Sequence, residues 1–206
     1  MSRTIERKDD RRSRRSRKML ADAFVELVGE RGLDGFSITD LTELANVNRG
    51  TFYGHFSDKE DLLEYCESEF LNGISELEER IAQVPVTELG TEETDSFVHS
   101  VFVEIFTFVE EHEALLTALL GPKGDISFEH RIIDTVCTTL IDKILNEQYR
   151  INRTPLVDYY VGYYSSAILG VVLMWLNNEN RETPEEMATI LLGIASLSLG
   201  DPIVLS

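Results

Sequence analysis

Cysteine is scarce: Cys66 and Cys137 are the two in 206 residues. They stand far apart with no C-x-x-C neighbour, which excludes a disulfide scaffold and a cysteine zinc site and fits a reducing compartment. Proline is nearly as rare, with five in the chain, so helices can run long before one is broken. No segment alternates with strand period over more than a few residues, and no internal repeat is found. Cations are outnumbered, 19 Lys and Arg against 37 Asp and Glu, for a formal charge of −18. Taken over the whole chain, that balance argues against nucleic acid, whose affinity comes from Lys and Arg neutralising phosphate. An apolar leader is also missing, because charged residues dominate as far as Lys18, and the cytoplasm is the expected compartment. With 43% hydrophobic and 27% charged residues, the composition is that of a globular chain able to bury a core.

The distribution of charge reverses the first inference. Residues 1–18 carry nine basic side chains against three acidic ones, a net +6, so the remaining residues hold −24. That is a basic arm on an acidic body, an arrangement that contacts nucleic acid or another anionic surface. One stretch, Tyr159 to Leu176, has eighteen residues without a charge, just enough to enter the range that spans a bilayer. Asp158 precedes it, four Glu against one Arg follow in residues 177–186, and four tyrosines and two serines interrupt its first half. It reads as a helix buried in protein, and no membrane partner is expected.

Helical periodicity covers most of the chain. Leu20, Ala23, Phe24, Leu27 and Val28 share a face of a first helix expected from about Arg11 to Arg31, ended by Gly32. Cations at a helix start oppose the macrodipole, so something outside the helix must account for them. Ser37 caps a short second helix with Asp40 placed for a capping box, and its apolar face is Ile38, Leu41, Leu44 and Ala45. Asn46 can take the left-handed turn that ends it. Asn48 caps a third helix of about seven residues, Arg49 to His55, and the pair forms a helix-turn-helix. Ser57 and Glu60 match a further capping box, from which a helix with apolar residues at Leu63, Cys66, Phe70, Ile74, Leu77, Ile81 and Val84 runs to Pro85. Further helices are expected at about 91–111, 114–120, 126–149, 156–178 and 184–199, the last opened by Thr183, Pro184 and Glu186. The fold class is all-α, with about nine helices.

The chemistry of the third helix suits duplex DNA. A short helix fits the major groove with its first residues facing base edges. Arg49 can bond guanine in bidentate fashion, Thr51 can meet a thymine methyl or a phosphate, and Gly50 and Gly54 let backbone approach closely. Ser37 and Thr39 can add backbone contacts. Each of these residues alone would be an ordinary surface group, and Tyr53 alone a half-buried core residue; their joint spacing is what carries the reading.

The string from Phe36 to Leu63, and most strongly Val47-Asn48-Arg49-Gly50-Thr51-Phe52-Tyr53-Gly54-His55-Phe56-Ser57-Asp58-Lys59-Glu60-Asp61-Leu62-Leu63, closely resembles the DNA-binding region of TetR/AcrR transcriptional regulators. The likeness spans about 45 residues from Leu20 to Leu63. Asn46 stands where that family usually has Gly, and Thr42 where it usually has Ala. The resemblance implies that Tyr53 and His55 reach phosphate or base and that Lys59 clamps a phosphate. Residues 19–65 hold only three cations against ten acids, so Arg14, Arg15, Arg17 and Lys18 of the arm are expected to supply much of the affinity, through phosphates or a neighbouring minor groove.

The expected domains are a basic arm with the start of the first helix (1–18), a helix-turn-helix domain (11–65) and a larger helical regulatory and dimerisation domain (66–206). The Pro184-Glu185-Glu186-Met187 segment after a Trp-bearing helix resembles the C-terminal domain of one TetR subgroup. That likeness implies a homodimer paired through the last two helices, with Ala167, Gly170, Trp175, Gly193 and Ala195 at the interface, and a palindromic DNA operator. It also implies a small-molecule effector pocket, for which Phe97, Phe102, Phe106, His112, Cys137, Tyr163 and Trp175 are the candidates. His99, His112 and His130 lie near carboxylates but form no H-E-x-x-H pattern, so neither a metal nor a cofactor is expected. Nucleophile-elbow, Walker A and dinucleotide motifs are lacking, which makes an all-α enzyme the weaker alternative. A repressor is the leading reading, with a TetR-like activator controlled by a partner protein as its rival.

Overall fold

A computed structural model describes residues 2–82, 92–139 and 154–196. All regular structure among the described residues is helical: α1 (Ser2–Arg31), α2 (Ile38–Leu44), α3 (Arg49–Tyr53), α4 (Lys59–Ala82), α5 (Glu92–Glu111), α6 (Glu113–Leu119), α7 (Ile126–Thr139), α8 (Pro155–Leu176) and α9 (Pro184–Ser196). The all-α expectation is met. The tails expected at 140–149 and 197–199 lie outside the described residues.

The chain forms two compact units, residues 1–74 with 112–135, and residues 75–111 with 136–206. This division falls elsewhere than the sequence boundary at 65/66. The reason is packing: α6 lies along α1, where a Cβ on Gly29 would stand in ordinary van der Waals contact with that of Ala118, at 3.9 Å. Phe70 of α4 meets Phe128 of α7 edge-on at 5.7 Å. The core of this unit joins Leu20, Phe24, Leu27 and Val28 to Phe36, Leu41, Phe52, Phe56, Leu62, Leu116 and Leu119, all buried. In the other unit α9 packs along α5, and α5 also meets α8. Phe106, Trp175, Val172, Met187 and Leu191 are buried there.

Several local expectations are met by hydrogen bonds. Gly32 closes α1 at φ 79°, and Asn46 takes φ 53°. The Ser37 hydroxyl oxygen accepts from the Asp40 amide at 3.2 Å while the Asp40 carboxylate accepts from the Ser37 amide at 2.8 Å. Thr183 and Glu186 reciprocate in the same way. Others need correction. The arm is helical from Ser2, not from about Arg11, because residues 2–18 hold neither proline nor glycine and arginine is a good helix former. Asp58, not Ser57, caps α4: its carboxylate accepts from the Asp61 amide at 2.8 Å, and Asp61 in turn accepts from the Ser57 amide and hydroxyl. Helix α3 closes at Tyr53 with Gly54 as C-cap, two residues earlier than expected. Leu44 stays 44% exposed.

Helix α8 is the largest departure. It is long and apolar enough to cross a membrane, yet only 22% of its most apolar window is buried, where the sequence reading placed it inside protein. Val161, Ser165, Val172 and Trp175 make its inner face. Leu156, Tyr159, Tyr160, Tyr163 and Met174 stay exposed on the opposite one.

Candidate nucleic-acid interface

Helix α2, the turn from Ala45 to Asn48 and helix α3 form the helix-turn-helix. The turn is held by the Val47 amide donating to the Thr42 carbonyl at 3.0 Å. Thr42 is buried at 3% exposure, and its hydroxyl donates back to the Ile38 carbonyl at 2.9 Å, so a polar residue sits in this packed position without an unmet bond. Asn48 caps α3: its carboxamide oxygen accepts from the Thr51 amide at 2.7 Å and from the Thr51 hydroxyl at 3.1 Å. A Cβ on Gly50 would come within 3.2 Å of that same oxygen. Glycine at this position therefore protects the cap as well as leaving backbone open to a ligand.

Phe52 is fully buried and anchors α3 through Phe56, whose ring lies 6.0 Å away. With Phe52 inward, helical geometry turns Arg49 and Tyr53 outward together, since residues four apart share a face. Tyr53 is 51% exposed. The Arg49 guanidinium lies 6.0 Å from the Tyr53 ring centroid, with Nη2 at 3.5 Å from the phenolic oxygen. Ser37, Thr39, Asn48, Gly50 and Gly54 are exposed, and Thr51 and His55 are half-buried. One surface thus brings together a planar cation, a phenol, an imidazole and small hydroxyls on capped backbone, the chemistry that meets base edges and phosphates in a major groove.

Lys59 is placed differently from the remainder. Its ammonium donates to the carbonyls of Leu33 at 2.7 Å and Phe36 at 3.0 Å, and sits 4.7 Å over the Phe36 ring. It fastens the α1–α2 turn, leaving at most one of its three protons for a phosphate. Within the arm, Arg14, Arg15 and Lys18 are exposed, and Lys18 makes only an exposed 3.4 Å pair with Asp22, which is worth little. Arg17 is half-buried and turns inward, 6.0 Å from the centre of the Tyr65 ring. Burial, chiefly, pushes the Tyr65 phenol above its ordinary value, with Glu69 adding to it and Arg17 opposing it.

Two profiles match this chain: "Bacterial regulatory proteins, tetR family" over residues 20–66, and "Transcriptional regulator C-terminal region" over residues 98–196. The chain belongs to the TetR/AcrR family of transcriptional regulators. YxbF, an uncharacterized HTH-type transcriptional regulator of Bacillus subtilis, is 26% identical over 192 residues, 89% of this chain and 45% of YxbF. The HTH-type transcriptional regulator AcrR of Shigella flexneri is 26% identical over 145 residues, 67% of this chain and 65% of AcrR. The chain therefore spans about half to two thirds of these curated relatives. The fold matches that of the Bacillus subtilis regulator FadR, solved with stearoyl-CoA, at a TM-score of 0.64 and 19% identity, covering 86% of this chain and 96% of FadR.

In this TetR-family chain the regulatory candidates are dispersed. Phe106 meets Trp175 edge-on at 5.1 Å. The Trp175 Nε1 donates to the Glu182 carbonyl at 2.8 Å, and Arg181 lies over its ring. Trp175 is thus committed to the core of its own unit at 3% exposure. Phe97, Phe102 and Cys137 are half-buried. Tyr163 is 69% exposed on the outer face of α8, and His112 packs against Phe70 in the first unit. Ala167 is exposed, and a Cβ at Gly170 or Gly193 would meet nothing within 4 Å. Ala195 lies outside the residues whose side chains are described.

Sequence reasoning missed one ion pair. Glu67 of α4 is 2% exposed and paired with Arg131 of α7. The signal was available, since Glu67 falls between Leu63 and Phe70 on the apolar stripe, where an unpaired carboxylate would be costly.

Proposed function

We propose that this TetR-family regulator is a cytoplasmic repressor that binds a palindromic operator as a homodimer and is released when its second unit takes up a small-molecule effector. The observation that carries the DNA half is the Arg49 and Tyr53 pair, exposed side by side on a helix whose cap and buried Phe52 fix its orientation. Arg49, Thr51, Tyr53 and His55 read or approach the groove, Asn48 and Gly50 shape the helix start, and Ser37, Thr39, Arg14, Arg15 and Lys18 meet phosphates. The dimer half is supported by the outer face of α8, where Leu156, Tyr163, Gly170 and Met174 follow one another at intervals of seven, seven and four residues and all stay exposed in the single chain. An apolar stripe of that length marks an interface, and a two-fold pair suits half-sites about 34–36 Å apart.

Selection of bound duplexes from a random pool tests the reading. Enrichment of a palindrome is the expected result, and no enriched sequence would remove it. Adding metabolite extracts to the operator complex then tests release, which must change operator affinity by about tenfold for each 1.4 kcal/mol of differential binding.

A further inference from the structure

Because α1 begins at Ser2, the arm is a continuation of the first helix, running about 27 Å before Leu20 enters the core. Its helical register sorts the cations. Arg11, Arg14, Arg15 and Lys18 follow one another at intervals of three, one and three residues and are all exposed, so they form one stripe about 10 Å long. No acidic residue lies between Arg11 and Lys18. Arg17 leaves the stripe and roots the helix on Tyr65. Tyr65 is itself 5.4 Å from Phe56, which touches Phe52 of α3, so the base of the arm is two ring contacts from the reading helix.

We infer that this stripe is a rigid phosphate rail, which grips the DNA backbone flanking each half-site and extends the footprint beyond the bases that α3 reads. The inference rests on the DNA-binding reading and deepens it. A duplex fits better than any other anion source because phosphates recur every 3.4 Å along each strand, so a 10 Å row of four cations faces several at once. The head cannot supply this grip, since residues 19–65 hold three cations among ten acids and one of the three, Lys59, is occupied with carbonyls. A helix this wide does not enter a minor groove about 6 Å across, so the grip is on phosphates and carries no sequence preference of its own.

Rigidity separates the rail from a flexible charged tail. The full chain is compared with Ser13→Pro, which keeps every charge but breaks the helix between Arg11 and Arg14, and with Arg11→Gln/Arg14→Gln/Arg15→Gln/Lys18→Gln. Binding is measured against salt on the selected operator, on the same operator trimmed to its half-sites, and on a random-sequence duplex. Each phosphate contact contributes about 0.9 to the slope of log K against log salt. The quadruple variant is expected to lose roughly 3 to 4 from that slope per arm, and Ser13→Pro about 1 or more. Trimming the flanks should weaken the parent chain and leave the quadruple variant unaffected. The rail is overturned if Ser13→Pro keeps the full slope and footprint, which means a flexible tail, or if the quadruple variant does, which means a solvated face. A quadruple variant that binds duplexes as before but loses affinity for anionic vesicles would assign the stripe to a membrane surface instead. Failure to select any operator would sink the regulatory reading, while the random duplex still reports whether the arm holds DNA. Thermal unfolding of both variants checks that the head is intact.

Discussion

The Lys59 ammonium lies 3.0 Å from the carbonyl oxygen of Phe36 and 4.7 Å from the centre of the same residue's ring. One side chain therefore fixes both the backbone and the side chain that close α1 onto α2. Charge-assisted bonds of this type are worth about 1.5–3 kcal/mol each when partly buried. Lys59→Met removes two such bonds and is expected to lower unfolding stability by about 3 kcal/mol or more, read by urea denaturation, and to weaken DNA binding only in proportion. A variant with parental stability and a sharply reduced salt slope would show that Lys59 acts on phosphate instead.

Arg49 and Tyr53 lead to the opposite expectation. Both project from α3 with Tyr53 half exposed, so truncation removes little packing. Tyr53→Ala should abolish operator preference while the melting temperature stays near that of the parent. Arg49→Ala should relax preference at one base pair by about 1–3 kcal/mol. Equal losses of stability and binding would place Tyr53 in the core.

Much of this site is legible in sequence because it rests on local rules. Ser37 with Asp40, Asn48 with Thr51 and Asn46 at its turn are neighbours in the chain, and their bonds follow from spacing alone. What spacing does not supply is contact at a distance. Lys59 reads as a phosphate clamp, and spacing gives no sign that Leu33 and Phe36, more than twenty residues back, accept two of its protons. Trp175 reads as an interface residue until Glu182 takes its indole proton. The uncharged run in α8 reads as interior although one of its faces is exposed, because hydropathy in a single sequence does not say which apolar faces the chain itself covers.

Asp40 gives a pH test of the capping box. The Ser37 hydroxyl, at 2.6 Å, and then the Ser37 amide hold the Asp40 carboxyl below its ordinary value, with Arg31 helping. A depressed carboxylate stabilises the fold above its unfolded value of about 3.9, and that contribution is lost as pH falls through the folded value. In an NMR titration Asp40 should titrate below the ordinary aspartate value, and Ser37→Ala should move its midpoint upward. A midpoint unmoved by Ser37→Ala would contradict the pairing.

Glu67 and Arg131 tie α4 to α7 inside the first unit. Removing the cation strands a carboxylate that is 2% exposed, which costs about 3–5 kcal/mol, whereas replacing both partners by apolar residues is often close to neutral. Arg131→Met is expected to destabilise strongly, and Glu67→Leu combined with Arg131→Leu to recover most of the loss. A double variant as unstable as the single one would mean that the cost lies in packing around Phe128, over which Arg131 also sits.

The proposed dimer puts the outer face of α8 at its seam. Leu156, Tyr159, Tyr163 and Met174 are each more than two thirds exposed in the single chain, and Gly170 leaves open space among them. A charge there meets water in a monomer but is buried against apolar surface in a dimer, where an unpaired carboxylate is not tolerated. Met174→Asp should therefore sediment as a monomer with parental helix content, while the parent sediments as a dimer. Losing the second reading head removes the gain from linked half-sites, so affinity for a palindrome should fall by roughly 10²- to 10⁴-fold, with binding to an isolated half-site little changed. If Met174→Asp remains dimeric and binds the palindrome as before, the two copies meet elsewhere and the α8 face serves another partner.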